Sequence, residues 1–205
     1  MSIYQLKPRF QALLRPAVAG LARRGVTANQ VTLAACAASV ALGLALYVVR
    51  PAPAWLALLP LWLFLRMALN AVDGMLAREH GQQSRLGAYL NELTDVLSDA
   101  ALYLPLAAYA PFDGFWIATI ALLAALSEMA GVLGQTLGAS RRYDGPMGKS
   151  DRAFVFGALA LAMAVAHPLP PWAGAILPLV AALTAWTVCR RVARGLSEAT
   201  ARPPG

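Results

Sequence analysis

The chain has 205 residues, of which 59% are hydrophobic and 13% are charged, and its formal net charge is +7. This composition excludes an ordinary soluble domain, in which about a quarter of the residues are charged. Apolar runs close to the ~20 residues that span a bilayer recur along the chain. The basic residues lie next to these runs, where they set orientation and contact anionic lipid headgroups. The positive charge therefore indicates a membrane protein and argues against nucleic-acid binding.

The first segment, residues 1–25, has apolar residues at steps of three and four with basic residues between them. This pattern predicts an amphipathic segment that lies on the membrane surface. Pro8 and Pro16 should divide it into two short helical pieces, because proline breaks a helix interior. A basic tail beside the membrane is the alternative. Residues 26–195 are predicted to form one membrane-embedded domain, and residues 196–205 a disordered tail.

Six transmembrane helices are predicted in this domain, so the fold class is an all-α integral membrane protein. Thr27 or Asn29 is the expected N-cap of the first span. The first apolar run begins after some thirty residues and several more follow, which argues against a cleaved signal peptide. The spans cover approximately residues 28–49, 54–70, 86–110, 115–137, 153–166 and 172–189.

The positions of the basic residues predict the orientation of these spans. Nearly all of them lie at the N-terminus, at the C-terminus, in the loop with Arg78 and Arg85, or in the loop 141–152. Arg50 alone lies on the opposite side. The positive-inside rule then places both termini in the cytoplasm, as in a multi-pass protein of a bacterial inner membrane.

One stretch, residues 70–99, contains half of the acidic residues of the chain. Its acids are Asp73, Glu79, Glu92, Asp95 and Asp99. A carboxylate within a membrane span is costly, and it is a candidate for a functional site by default. On helices, Asn70 and Asp73 share one face, and Asn91, Asp95 and Asp99 share another. If the two helices pack antiparallel, these faces meet and offer oxygen ligands for a hard cation such as Mg²⁺, Mn²⁺ or Ca²⁺.

The same stretch resembles the signature of the CDP-alcohol phosphatidyltransferase family, Asp-x2-Asp-Gly-x2-Ala-Arg-x8-Gly-x3-Asp-x3-Asp. Six residues match it in register: Asp73, Gly74, Ala77, Arg78, Gly87 and Asp95. The segment 27–32 is similar to the Thr-Pro-Asn-x2-Thr sequence that precedes the first span in that family. The resemblance covers nearly the whole chain, and six membrane helices behind an interfacial helix agree with it.

The resemblance implies an enzyme that transfers a phosphatidyl or other phospho-alcohol group from a CDP-alcohol to a hydroxyl acceptor, with release of CMP. CDP-diacylglycerol is the expected donor, and Mg²⁺ or Mn²⁺ the expected cofactor. Asp73 would bind metal and Asp95 would be the general base. Gly74, Ala77 and Arg78 would line the CDP site, with Gly87 allowing close approach. A homodimer is expected by the same resemblance.

The first and third aspartates of the signature are replaced in this chain by Asn70 and Asn91. An amide oxygen still ligates a cation, but two expected negative charges are lost. Asp99, one turn beyond Asp95, is a further candidate for metal binding or for the base. The Asn pattern is similar to that of a bacterial inner-membrane branch of the family. Two interpretations follow. The chain is either an active transferase or a catalytically weakened protein that binds CDP-lipids or has a regulatory role.

Other charged residues have two interpretations each. Arg66 either forms an ion pair with Asp99 or Glu128, or contacts substrate. Glu128 is either the partner of Arg66 or part of an acceptor pocket. A group of four cations in the loop after the fourth span reflects either the positive-inside bias or a site for a phosphorylated acceptor. These cations are Arg141, Arg142, Lys149 and Arg152. A small transporter is a third possible function, although no inverted repeat supports it.

Overall fold

The computed structural model describes residues 6–201, and within this range the chain is helical and contains no β-strand. Three short 3₁₀ segments, Pro53–Ala57, Leu104–Ala108 and Pro171–Ala175, adjoin the long helices. The long helices are α1 (Leu6–Arg23), α2 (Ala28–Val49), α3 (Leu58–Glu79), α4 (Arg85–Tyr103), α5 (Gly114–Thr136), α6 (Lys149–Ala166) and α7 (Ile176–Ala201).

Helix α1 is continuous, so the predicted division at Pro8 and Pro16 is wrong. Pro8 falls in the first turn, where backbone N–H groups have no partner within the helix. Pro16 is exposed, whereas Val18 is fully buried and joins a cluster with residues of α2 and α3. Packing on α3 therefore holds α1 together across the proline. Its location on a membrane surface remains a prediction.

Four helical stretches are long and apolar enough to cross a bilayer: Ala28–Val49, Pro53–Glu79, Gly114–Thr136 and Pro171–Ala201. The predicted spans over α4 and α6 do not meet the same criterion, because both helices carry several charged residues. The structure thus supports a multi-spanning membrane protein with four apolar spans. The count of six remains a prediction.

Helix α2 packs closely against both α3 and α4, whereas α3 and α4 are not among the closely packed pairs. Gly43 makes the α2–α4 approach possible, since a Cβ at this position would lie 2.1 Å from the carbonyl oxygen of Ala101. At its start, α2 is capped by Thr27, which exchanges hydrogen bonds with Gln30 in a capping box. This confirms one of the two predicted caps. The arrangement leaves a cleft between the polar faces of α3 and α4.

Helices α5 and α7 form the most extensive pair, and the loop 137–148 packs across their ends. Gly131 admits this loop, because a Cβ there would lie 2.7 Å from the carbonyl oxygen of Arg142. Helix α7 continues to Ala201, so residues 196–201, which we predicted as disordered, are helical. Residues 202–205 of the predicted tail and residues 1–5 lie outside the described range.

Candidate active site

The cleft between α3 and α4 contains a cavity of about 410 Å³, which α2 closes on one side. Six residues predicted to bind metal or CDP line it: Asp73, Gly74, Ala77, Arg78, Gly87 and Asn91. They come from the ends of α3 and α4 that flank the connection at residues 80–84. The signature therefore folds around one cavity, because the short connection brings both ends to the same side of the protein.

Asp73 is held in this cavity by α2. The hydroxyl of Thr32 donates a hydrogen bond of 2.7 Å to Asp73 Oδ2, and both side chains are buried. Two glycines of the cavity wall, Gly74 and Gly87, leave space in the cavity because they have no side chain. A Cβ on Gly74 would lie 2.9 Å from the Arg78 guanidinium, and one on Gly87 would lie 2.9 Å from Asn29. Larger residues at these positions would intrude on the polar groups of the cavity wall.

A second group of polar residues lies where α3 meets α4, one to two turns from Asp73. Arg66 Nη2 lies 3.0 Å from Asp95 Oδ1, and the Asn70 amide donates to the same oxygen at 3.3 Å. Arg66 also forms an ion pair with Asp99, which confirms one of the partners predicted for it. Lys149, the first residue of α6, places Nζ 2.5 Å from Asp95 Oδ2. Arg66 contacts Asp99, and Asn70, further along α3, contacts the earlier residue Asp95. Helices α3 and α4 are therefore antiparallel, as predicted.

The four cations predicted for an acceptor site take different positions. Only Arg141 lines the cavity, and it forms a bidentate pair with Glu92. Arg142 instead contacts Asp144 and Glu198, and so fastens the loop to α7. Arg152 is fully buried. The structure therefore does not bring Arg142 and Arg152 to the cavity wall.

Burial lowers the pKa of Arg141, but the hydrogen bond and the charge of Glu92 raise it by more, so its pKa lies above the ordinary value. Its guanidinium also lies over the ring of Tyr143, 5.0 Å from the ring centroid. Arg141 is thus a permanent cation at the wall of the cavity.

Glu128 does not pair with Arg66. Its network meets the cleft through Arg141, which also pairs with Glu92, and through Arg152 Nη2, which lies 3.7 Å from Asp99 Oδ2. The Glu128 carboxylate lies 3.2 Å from Arg152, 3.3 Å from Arg191 and 3.6 Å from Arg141. Arg152 also donates to Ser127 and to the carbonyl oxygen of Met147. These contacts join α5, α6, α7 and the loop between α5 and α6. The arrangement explains Glu128 as a buried counter-ion of several arginines.

The oxygen donors of the cleft fit one divalent cation. Asp73 and Asn91 line the same cavity and offer a carboxylate and an amide oxygen, which suit Mg²⁺ or Mn²⁺. The remaining predicted ligands are engaged within the protein: Asn70 donates to Asp95, and both Asp95 and Asp99 contact cationic side chains. Among residues 6–201, no three His, Cys, Asp or Glu side chains converge as a metal site.

Sequence reasoning gave no role to several residues of the site. Thr32 lies within the segment that resembles the family's Thr-Pro-Asn-x2-Thr sequence, so the signal for it was present. Glu92 belongs to the acidic stretch, but its pairing with Arg141 depends on where the loop 137–148 packs. Arg191 looked like one more basic residue at the end of a span, and only the packing of α7 on α5 shows its contact with Glu128.

The chain is similar to known proteins in both sequence and structure. The model of the family described as CDP-alcohol phosphatidyltransferase matches residues 25–187. The chain is similar to the "Inner membrane protein YnbA" of Escherichia coli (strain K12), with 46% identity over 191 residues. That match covers 93% of this chain and 94% of the Escherichia coli protein.

The fold is similar to crystal structures of Mycobacterium tuberculosis phosphatidylinositol phosphate synthase (PgsA1). One was determined in complex with manganese and citrate, and one with CDP-DAG bound. Both share 23% sequence identity with this chain, cover 93% of it, and superpose with a TM-score of 0.75. The match covers 92% and 98% of those two chains, respectively. At this identity the similarity establishes the fold.

Proposed function

The chain belongs to the CDP-alcohol phosphatidyltransferase family, and we propose on this premise that it transfers a phosphatidyl group from CDP-diacylglycerol to a hydroxyl acceptor. The chain is accordingly an enzyme of phospholipid synthesis. One observation carries the choice of donor: Asp73, Gly74, Ala77, Arg78 and Gly87 line a single cavity. The Mycobacterium tuberculosis synthase, which has a similar fold, was crystallised with CDP-DAG bound, and this supports the same class of donor.

The donor occupies the cavity between α2, α3 and α4 in this proposal. Arg78 offers a planar guanidinium that pairs with phosphate oxygens in bidentate fashion. Gly74 and Gly87 leave room for the cytidine and the pyrophosphate against the helix backbones. The acyl chains extend from the cavity into the bilayer.

Asp95 is the general base. It takes the proton of the acceptor hydroxyl while the hydroxyl oxygen attacks the phosphorus of the phosphatidyl group. The bond between that phosphorus and the bridging oxygen breaks, and CMP leaves with the electron pair. Arg66 and Asn70 hold Asp95 Oδ1 in position, so that the carboxylate stays oriented. Asp73 and Asn91 would hold a divalent cation, which would neutralise charge on the pyrophosphate and on the leaving CMP.

The acceptor side of the site contains permanent cations. Arg141 at the cavity wall and Lys149 beside Asp95 favour an anionic acceptor, such as a phosphorylated alcohol. Arg142 and Arg152 support this region from outside the cavity through the loop and through Glu128. An uncharged acceptor would gain nothing from these charges.

The proposed setting is a bacterial inner membrane. Four apolar helices and a relative named as an inner membrane protein support it. We further propose six spans, with α4 and α6 crossing the bilayer inside the bundle, α1 on the cytoplasmic surface, both termini in the cytoplasm, and a homodimeric assembly. Charged residues within α4 and α6 are tolerated where they face the protein interior.

The test is CMP release from CDP-diacylglycerol by the purified protein with Mg²⁺ or Mn²⁺ and a panel of phosphorylated and uncharged acceptors. The expected result is metal-dependent release that a phosphorylated acceptor stimulates most. CDP-diacylglycerol binding without CMP release for any acceptor would overturn the enzymatic proposal and favour a binding protein. Flux of substrate across sealed vesicles without CMP release would favour a transporter.

A further inference from the structure

Asp95 is engaged by two cations of the protein itself. Its Oδ1 lies 3.0 Å from Arg66 and its Oδ2 lies 2.5 Å from Lys149 Nζ. Each carboxylate oxygen therefore faces a positive charge, and Asn70 contacts Oδ1 as well. A divalent cation at Asp95 would therefore compete with Arg66, Asn70 and Lys149 for the lone pairs of the carboxylate.

The net charge of the site also limits how many divalent cations it can balance. The family signature has aspartates at the positions of Asn70 and Asn91, so its four carboxylates carry a charge of −4, enough to balance two divalent cations. This chain retains two of these carboxylates, Asp73 and Asp95. The two amides thus remove as much negative charge as one divalent cation would neutralise. Arg66 and Lys149 add two positive charges beside Asp95, and Asp99 shares the charge of Arg66.

We propose that Lys149, with Arg66, takes the place of a second divalent cation, so that this site binds one metal ion at Asp73. The inference rests on the function proposed above. Asp73 is suited to the single ion because its contact with Thr32 is neutral and because it lines the open cavity. Asp95 is suited to Lys149 because the ammonium needs no strict geometry and loses little hydration at a partly exposed position.

Lys149 is also placed to act as the missing ion would, by bridging Asp95 and a substrate phosphate. Its side chain is 28% exposed, and that of Asp95 is 20% exposed. An ammonium has three N–H donors. One is directed at Asp95, and two remain for phosphate oxygens. Arg66, at 4% exposure, is buried against α4, so it supplies its charge to Asp95 and Asp99 without reaching a substrate.

The experiment counts Mn²⁺ ions bound per chain in the purified, detergent-solubilised protein, by equilibrium titration and by electron paramagnetic resonance. The expected result is one Mn²⁺ per chain with the spectrum of an isolated ion. Two ions per chain, or a spectrum of coupled ions, would overturn the inference, as would the absence of Mn²⁺ binding. This measurement needs no substitution, and so it cannot fail through misfolding.

Two variants test the role of Lys149 specifically. The double variant Asn70→Asp/Asn91→Asp restores the carboxylates but keeps Lys149 on Asp95, and it should still bind one Mn²⁺. Adding Lys149→Met should raise the stoichiometry to two. A double variant that binds two ions, or a folded triple variant that binds one, would contradict the assignment. Arg190→Gln, at an exposed position of α7, removes one positive charge elsewhere and should leave the count at one.

The outcome is independent of the proposed transferase activity. Mn²⁺ stoichiometry is measured without a CDP-alcohol or an acceptor. A protein that binds one Mn²⁺ but releases no CMP would retain the metal inference and lose the transferase proposal. A protein that binds two Mn²⁺ and releases CMP would retain the transferase proposal and lose the metal inference.

Discussion

Two clusters of charged side chains lie within the helices, and they differ in what their groups contact. In the cleft between α3 and α4, Asp73, Arg78 and Asn91 line an open cavity. Around Glu128, by contrast, the arginines of α6, α7 and the preceding loop contact one carboxylate, and Arg152 and Arg191 are almost completely buried. Both clusters contain intramembrane charges, but the cavity at the cleft has many polar side chains in its lining, whereas the cavity beside Arg191 is lined mostly by apolar side chains.

The two clusters therefore suit different roles: the cleft can bind a ligand, and the Glu128 cluster stabilises the fold. A buried charge is tolerated when its partners satisfy it, and removing one partner leaves an uncompensated charge. The Glu128 cluster has this property, because it joins three helices through one carboxylate. In the cleft, polar groups instead line an open cavity. Substitutions in the cleft should therefore change activity, and substitutions around Glu128 should change stability.

The largest effect on activity is expected for Asp95→Asn. Loss of a general base costs about 10²- to 10⁴-fold in rate, and the near-isosteric amide should keep the fold. CMP release at saturating substrate measures the effect. The matched control is Asp113→Asn at the start of α5, where asparagine also caps a helix and release should be unchanged. Release within tenfold of the unsubstituted protein would remove Asp95 from the role of base.

The largest effect on stability is expected for Glu128→Gln. The neutral amide leaves the buried Arg152 and Arg191 without their shared counter-ion, and breaking a buried ion pair costs about 3–5 kcal/mol. Thermal unfolding in detergent measures it. The comparison variant is Glu79→Gln, which breaks an exposed pair with Arg15 and should leave the melting temperature nearly unchanged. Equal shifts for the two variants would show that the Glu128 cluster is not structural.

A smaller loss of stability is expected for Gly43→Ala. The added methyl group overlaps the backbone of Ala101, and overpacking of this kind costs about 1–3 kcal/mol. Gly20→Ala in α1 is the control, because the nearest side-chain atom lies 4.0 Å from its Cβ position. The same unfolding assay applies. A Gly43→Ala protein as stable as the control would mean that α2 and α4 are further apart than the structure shows.

The smallest of the four effects is expected for Arg78→Lys. Lysine keeps the charge but loses the bidentate contact with phosphate, so KM for CDP-diacylglycerol should rise about tenfold while kcat changes little. Initial rates over a range of donor concentrations separate the two constants. Arg85→Lys, on an exposed position at the start of α4, should leave both unchanged. A fall in kcat alone would place Arg78 at the transition state rather than at donor binding.

The sequence by itself determined the helical class, the family, a capped start of α2 at Thr27 or Asn29, and six of the residues that line the cavity. These features depend on local patterns: apolar runs, a capping sequence and a motif whose spacing places its residues on two helix faces. The sequence also offered Asp99 and Glu128 as ion-pair partners for Arg66, and the structure shows the pair with Asp99.

Only the tertiary structure decided the remaining features. Helix α1 runs through Pro16 because its apolar face packs on α3, and packing of this kind outweighs one missing hydrogen bond. The loop cations separate into different roles because the loop 137–148 folds over α5 and α7, which brings Arg142 to Glu198 and Arg141 to Glu92. Lys149 reaches Asp95 across 54 residues of sequence. Such contacts depend on how distant helices pack, and no local pattern encodes them.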